Sequence, residues 1–223
     1  DIYDDLGLAG DTLTSHVAWD PGALGVAQSL AKRIDATLVA SNTSRLVYDC
    51  NRPLSAPDAI PEQSEIVKIP GNMNLTHTQR QDRADRYYEP FHARLVDIIA
   101  ATSMPIIVTI HSFTPLYHGA QREVEIGVLH DTDTRLADVM LQIAPLHTDA
   151  LVRRNDPYGP QHGVTHTLKE HALPAGHLNV MLEIRNDLIH DAPQQDGMAT
   201  CIANWLSDAL TQLDGKGAEQ CQG

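Results

Sequence analysis

Residues 105–115, PIIVTIHSFTP, pass from an almost wholly apolar run straight into a histidine. A run of that composition reads as a β-strand covered on both faces, because a half-exposed strand would alternate apolar and polar positions. Working outward, EVEIGVLHD (123–131), ALVRRN (150–155) and HLNVMLEIR (177–185) read as further strands, and TLVAS (37–41) as another. Helical periodicity separates them. Pro21 opens a helix through GALGVAQSLAKRI (22–34), with Leu24, Ala27, Leu30, Ala31 and Ile34 on one face. A long amphipathic helix spans about Thr76 to Ala101, turning Tyr88, Phe91, Leu95, Ile98 and Ile99 inward, with a kink at Pro90. Asp133 caps DTRLADVMLQIA (133–144), and GMATCIANWLSDALTQL (197–213) closes the chain as a helix. The proline-rich stretch from Pro53 to Asn74 is a long loop, of a length that is often functional in a compact domain. Alternating strands and helices predict an α/β sheet flanked by helices.

Composition narrows the function classes. The 223 residues suit a single domain, here expected over 1–214 with a flexible tail over 215–223. A formal charge of −13, from 16 basic and 29 acidic residues, repels a phosphate backbone and argues against nucleic-acid partners. No apolar run reaches the roughly 20 residues that cross a bilayer, so no membrane partner is expected. Three scattered cysteines fit a reducing cytoplasm better than a disulfide framework.

In such sheets sites gather at the carboxyl ends of strands. His111 follows PIIVTI directly, and a histidine there is either a hydrogen-bonded structural residue or a ligand. Glu183 and Arg185 sit among apolar neighbours, where an unpaired carboxylate costs several kcal/mol. Glu183 is therefore paired with an arginine or held for catalysis. SRLVYDCNRP (44–53) brings Arg45, Asp49, Asn51 and Arg52 together. The two arginines can grip a carboxylate through bidentate contacts, or Arg45 can pair internally with Asp49 while Asn51 stabilises a turn. Upstream, His16 and Asp20 stand four apart, and Asp20 can either ligate a metal or N-cap the helix at Pro21.

The ordered set HVAWDPGALGVA, SRLVYDCNRP, IPGN, YYEPFHARL, HSFTPLYHG, IGVLHD, VTHTLKEHA and LEIRNDLI resembles the N-formylglutamate amidohydrolase family, relatives of the zinc carboxypeptidases, over roughly residues 5–190. The resemblance implies a single zinc-carboxypeptidase-like domain with a mixed sheet flanked by helices on both faces. It implies a Zn2+ cofactor, with Asp20 and His111 as metal ligands and Glu183 as the residue that activates water. It also implies Asn51 and Arg52, with Arg185, as the grip on a substrate carboxylate, and Arg45 as a stabiliser of the oxyanion. The family's leading strand and its histidine motif have no match, so the first zinc ligand is expected upstream of Asp1, with His16 as the alternative.

The implied reaction is hydrolysis of the N-acyl amide of an acidic amino acid such as N-formyl-L-glutamate, a step of histidine degradation. The other readings are a deacylase or peptidase for another N-acyl amino acid, and a metal-free carboxylate-binding domain of the same fold.

Overall fold

A computed structural model describes residues 3–220, with side chains for residues 3–215. Its helices are α1 (Gly10–Leu13), α2 (Ala23–Arg33), α3 (His77–Arg83), α4 (Glu89–Ala101), α5 (Arg135–Ile143), α6 (His166–His171) and α7 (Ala192–Gln220). The strands are β1 (Gln63–Ser64), β2 (Val67–Lys68), β3 (Ile107–Phe113), β4 (Leu116–Tyr117), β5 (Ala120–Gln121), β6 (Ile126–Leu129), β7 (Val152–Arg154) and β8 (Asn179–Arg185). The chain divides into two compact units, one of residues 1–21 with 39–103 and the other of residues 22–38 with 104–223.

The second unit is built on a four-stranded sheet of order β3-β8-β6-β7. β3 and β8 run parallel, β6 is antiparallel to β8, and β7 is parallel to β6, so the sheet is mixed. The apolar runs read from sequence as strands are these four. One face carries Val108, Ile110, Ile126, Val128, Val180, Leu182 and Ile184, packed against α2, α5 and α7 in the main core. α7 presents Ala199, Ile202, Trp205, Leu206 and Ala209, the spacing of one helical stripe. Trp205 is fully buried, and its indole N–H donates to the Met140 carbonyl at 2.8 Å, so its polar atom is satisfied. The opposite face carries Ile107, Leu129 and Met181, covered by Val164 and Leu168 at α6. Helices on both faces of a mixed sheet are what the sequence predicts.

Three sequence expectations are corrected in this unit. The inward face of α2 is Ala23, Val26 and Leu30, whereas Leu24 and Ile34 are exposed. Small residues decide the rotation: a Cβ on Gly25 would lie 1.9 Å from Gln195 Oε1, and Ser29 donates to Asp196 at 2.6 Å, so this side of α2 approaches α7 closely. TLVAS forms no strand, since residues 36–40 join no ladder. The α7 backbone continues to Gln220, past the expected end near Asp214, and residues 221–223 lie outside those described. Asp133 does cap α5, accepting from the Arg135 N–H at 3.1 Å.

The first unit holds the long loop and the kinked helix. Thr76 and Gln79 close a capping box at the start of α3. The helix then widens to a π-turn over Ala84–Tyr88, and the Glu89 N–H reaches back five residues to the Ala84 carbonyl. That wider turn comes immediately before Pro90, which lacks an N–H and would crowd the carbonyl four residues back. Tyr88, Phe91, Leu95, Ile98 and Ile99 are only half-buried. The expected loop of 53–74 is irregular apart from short 3-10 turns and the β1–β2 hairpin. A buried polar network fastens it. Asn72 donates to the Leu46 and Pro61 carbonyls at 2.8 and 2.6 Å. Arg83, 4% exposed, donates to the Val47 carbonyl, Asn72 Oδ1 and the Gly71 carbonyl. Those bonds offset the cost of burying an amide and a guanidinium, and they tie IPGN to SRLVYDCNRP.

Candidate active site

Strand register sets the centre of the site in the second unit. His111 pairs with Glu183 across the parallel β3–β8 ladder, and Glu183 pairs with Gly127 across the antiparallel β8–β6 ladder. Residues paired in a ladder point to the same face. The row His111, Glu183, Gly127 therefore lies on the face opposite the main core, toward the carboxyl ends of β3 and β8. Glu183 is buried, at 4% exposure. Gly127 has to be glycine, because an added Cβ would stand 2.2 Å from the Asp156 carbonyl oxygen and 2.7 Å from Leu129 Cδ1. The segment from Asp156, whose peptide to Pro157 is cis, is thereby pressed onto the sheet beside Glu183.

That segment delivers Tyr158, and with it a group the sequence reading passed over. The β4–β5 hairpin turns at His118 and Gly119, both at positive φ, and leads directly into Arg122. The Arg122 guanidinium lies over the rings of Tyr117, Tyr158 and Phe113, at 4.2, 4.9 and 5.5 Å. It donates to the Tyr158 hydroxyl at 2.9 Å and to the Thr114 carbonyl at 3.3 Å. Burial pushes the Tyr158 phenol above its ordinary range, Arg122 pulls against that, and the charge of Glu183 adds to the rise. Nothing local in the sequence marks Arg122 or Tyr158, since strand register and a close chain approach bring them to this face.

Arg185 is engaged elsewhere. Its guanidinium binds Asp187 at 2.8 Å and Glu125 at 3.1 Å, and Nη1 also donates to the Arg122 and Glu123 carbonyls. These contacts bracket the end of β8, with two carboxylates on the fork.

The first unit holds the other expected residues. The Ser44 hydroxyl and Arg45 N–H both donate to the Ala18 carbonyl, which brings Arg45 beside Asp20. Arg45 binds Asp49 at 2.9 Å and Asp20 at 3.4 Å. The internal Arg45–Asp49 pair is thus the observed one, and Asp49 also accepts from the Asn51 N–H at 2.9 Å. Asp20 does not N-cap α2, which begins at Ala23 behind Gly22. Arg52 is buried, with Nε on Asp58 at 2.8 Å and Nη1 on the Asn51 carbonyl at 3.0 Å. His16 binds Glu65 at 2.7 Å, so it is held by the β1–β2 turn. Of the residues expected to meet at a metal, His111 and Glu183 are brought together on the sheet, whereas Asp20 sits with Arg45 in the first unit. Among the described residues no group of three or more His, Cys, Asp or Glu side chains could hold a metal ion, so the residues present do not fit zinc as a set.

A family model for N-formylglutamate amidohydrolase matches residues 1–190. The chain belongs to the N-formylglutamate amidohydrolase family. It is accordingly a hydrolase of amide C–N bonds. The crystal structure of a gene product from Agrobacterium tumefaciens is 54% identical, with a TM-score of 0.93 over 96% of this chain and 86% of that one. An N-formylglutamate amidohydrolase from Ralstonia eutropha JMP134 shares the fold at 18% identity, with a TM-score of 0.61 over 93% of this chain and 89% of that one. No curated protein matches the chain. Among the described residues no helix is long and apolar enough to cross a membrane.

Proposed function

We propose that the chain removes the formyl group from an N-formyl acidic amino acid such as N-formyl-L-glutamate, giving formate and glutamate. The observation that carries this reading is the in-register pair of His111 and Glu183 at the carboxyl ends of two parallel strands, with Glu183 buried. A carboxylate held on a strand beside a histidine is placed to take a proton from an attacking water. In the proposed reaction Glu183 takes the proton of the attacking water, and the tetrahedral adduct collapses as Glu183 returns that proton to the leaving nitrogen. Family membership supplies the amide bond as the target. Arg45, held between Asp20 and Asp49, is better suited to anchoring those carboxylates than to an oxyanion.

Zinc enters the proposal only as an ion that would take His111 as one of its ligands. No step is routed through it, since the described residues form no three-donor cluster. About one zinc per dialysed chain, lost in His111→Ala, supports this part, and zinc content unchanged by that substitution removes His111 from the metal.

The deciding experiment for the reaction is Glu183→Gln, read as formate released from N-formyl-L-glutamate. The amide cannot accept the proton, so kcat falls by about 10²- to 10⁴-fold while circular dichroism stays native. A variant that keeps its activity removes Glu183 from the base role. Release of an acyl group only from neutral N-acyl amino acids redirects the substrate assignment.

A further inference from the structure

We propose that Tyr158 is a catalytic residue that donates a hydrogen bond to the acyl oxygen of the substrate as charge builds there, and that Arg122 is the positioning residue that aims it. The inference rests on the hydrolytic reading above and adds the group that answers the developing negative charge. Three observations locate the phenol. The Asp156 carbonyl lies against Gly127, the ladder partner of Glu183, on the face that Glu183 occupies, and Tyr158 follows two residues later. Tyr158 packs against the cluster of Leu129, Val164, Leu168 and Met181, of which Met181 stands two residues before Glu183 on this face. The guanidinium it meets lies over Phe113, two residues beyond His111. The contact between hydroxyl and guanidinium therefore lies on the face that carries His111 and Glu183.

The hydrogen-bond chemistry then fixes the polarity. Arg122 can only donate, so in the 2.9 Å contact the Tyr158 oxygen is the acceptor. This is the one hydrogen bond of the Tyr158 hydroxyl among the described residues, and it leaves the O–H hydrogen for an acceptor supplied by the substrate. Three aromatic rings and the Thr114 carbonyl hold the guanidinium in place, so the donor is set before the reaction rather than reorganised during it. The positive charge beside the phenol also makes it a better donor.

The test measures formate release and thermal unfolding for the wild type, Tyr158→Phe, Arg122→Met and the double variant on N-formyl-L-glutamate and a panel of other N-formyl amino acids. Tyr158→Phe keeps the ring and its packing, so the melting temperature holds, KM stays within about two-fold and kcat falls by about 10²-fold. Arg122→Met also lowers kcat, yet added to Tyr158→Phe it costs less than about two-fold more, because its effect passes through the hydroxyl it no longer serves. If Arg122→Met fails to fold, Arg122→Lys replaces it, and that substitution, which keeps the charge and loses the planar stack, gives an intermediate kcat. A folded Tyr158→Phe with kcat within about three-fold of the wild type overturns the role of Tyr158 while leaving the reaction standing. Fully additive losses overturn the positioning role of Arg122. A wild type that releases no formate from any of the panel overturns the proposed reaction, and this inference with it.

Discussion

Arg52 illustrates how one side chain can be claimed by two roles. Its Nε is bound to Asp58 at 2.8 Å, and Asp58, with Glu62 and Arg80, lines a pocket in the first unit. A substrate carboxylate must therefore displace or join an acidic partner that already holds the fork. As a brace for the loop after Pro53, Arg52 predicts a lowered melting temperature in Arg52→Ala and equal losses on a formyl dicarboxylate and on an equivalent amide without the carboxylate. As a clamp it predicts a loss of roughly 10- to 150-fold on the dicarboxylate alone, the worth of a hydrogen bond to a charged group. The geometry favours the brace. We expect Arg52→Ala to destabilise by about 1–3 kcal/mol, the cost of leaving Asp58 and a buried carbonyl contact unmade. Steady-state rates on both substrates, together with a thermal melt, separate the two roles.

At the scale of elements, the site depends on glycines that let backbones approach. Gly127 on β6 admits the segment carrying Tyr158, and the atom a Cβ would strike is the Asp156 carbonyl oxygen, which belongs to backbone and cannot swing away as a side chain can. Gly127→Ala is expected to cost about 1–3 kcal/mol in unfolding free energy and to lower kcat, because the clash is relieved by lifting the loop off the sheet. Denaturant unfolding checks the first effect and formate release the second. An alanine variant with wild-type values for both would mean that this segment yields without moving Tyr158. The Ala84–Tyr88 π-turn serves α4 in a comparable way, since the helix accommodates Pro90 by changing its hydrogen-bond register.

For the whole molecule, acid is the informative perturbation. Bonding to Arg135 holds the Asp133 carboxyl below its ordinary range, and the Thr134 hydroxyl and Arg154 do the same for Asp138. Each folded value lies below the unfolded value near ~3.9, so each carboxylate stabilises the fold above that pH and loses its contribution as pH falls through the lowered value. Asp138 is half exposed, which keeps its share small and salt-sensitive. The melting temperature should therefore drop below about pH 4, with a shallower drop in Asp133→Asn/Asp138→Asn. Parallel curves for the two proteins would assign the acid sensitivity to other carboxylates.

The sequence by itself determined the strands 107–113, 126–129, 152–154 and 179–185, the helices α2, α5 and α7 that pack on them, and His111 and Glu183 as residues of interest. Apolar periodicity and the residues that follow an apolar run are local properties, and the chain's motifs carry them. Its limits lay wherever the outcome depended on a partner distant in the chain. The face of α2 was misread because Gly25 and Ser29, not the larger residues, meet α7. TLVAS has the composition of a strand, yet it has no ladder to join. Arg185 reads as available until Glu125 and Asp187 close on it. Only the tertiary structure set His111, Glu183 and Gly127 in one row and brought Tyr158 and Arg122 to its face, because register and close backbone approach are relations between segments that neither segment encodes alone.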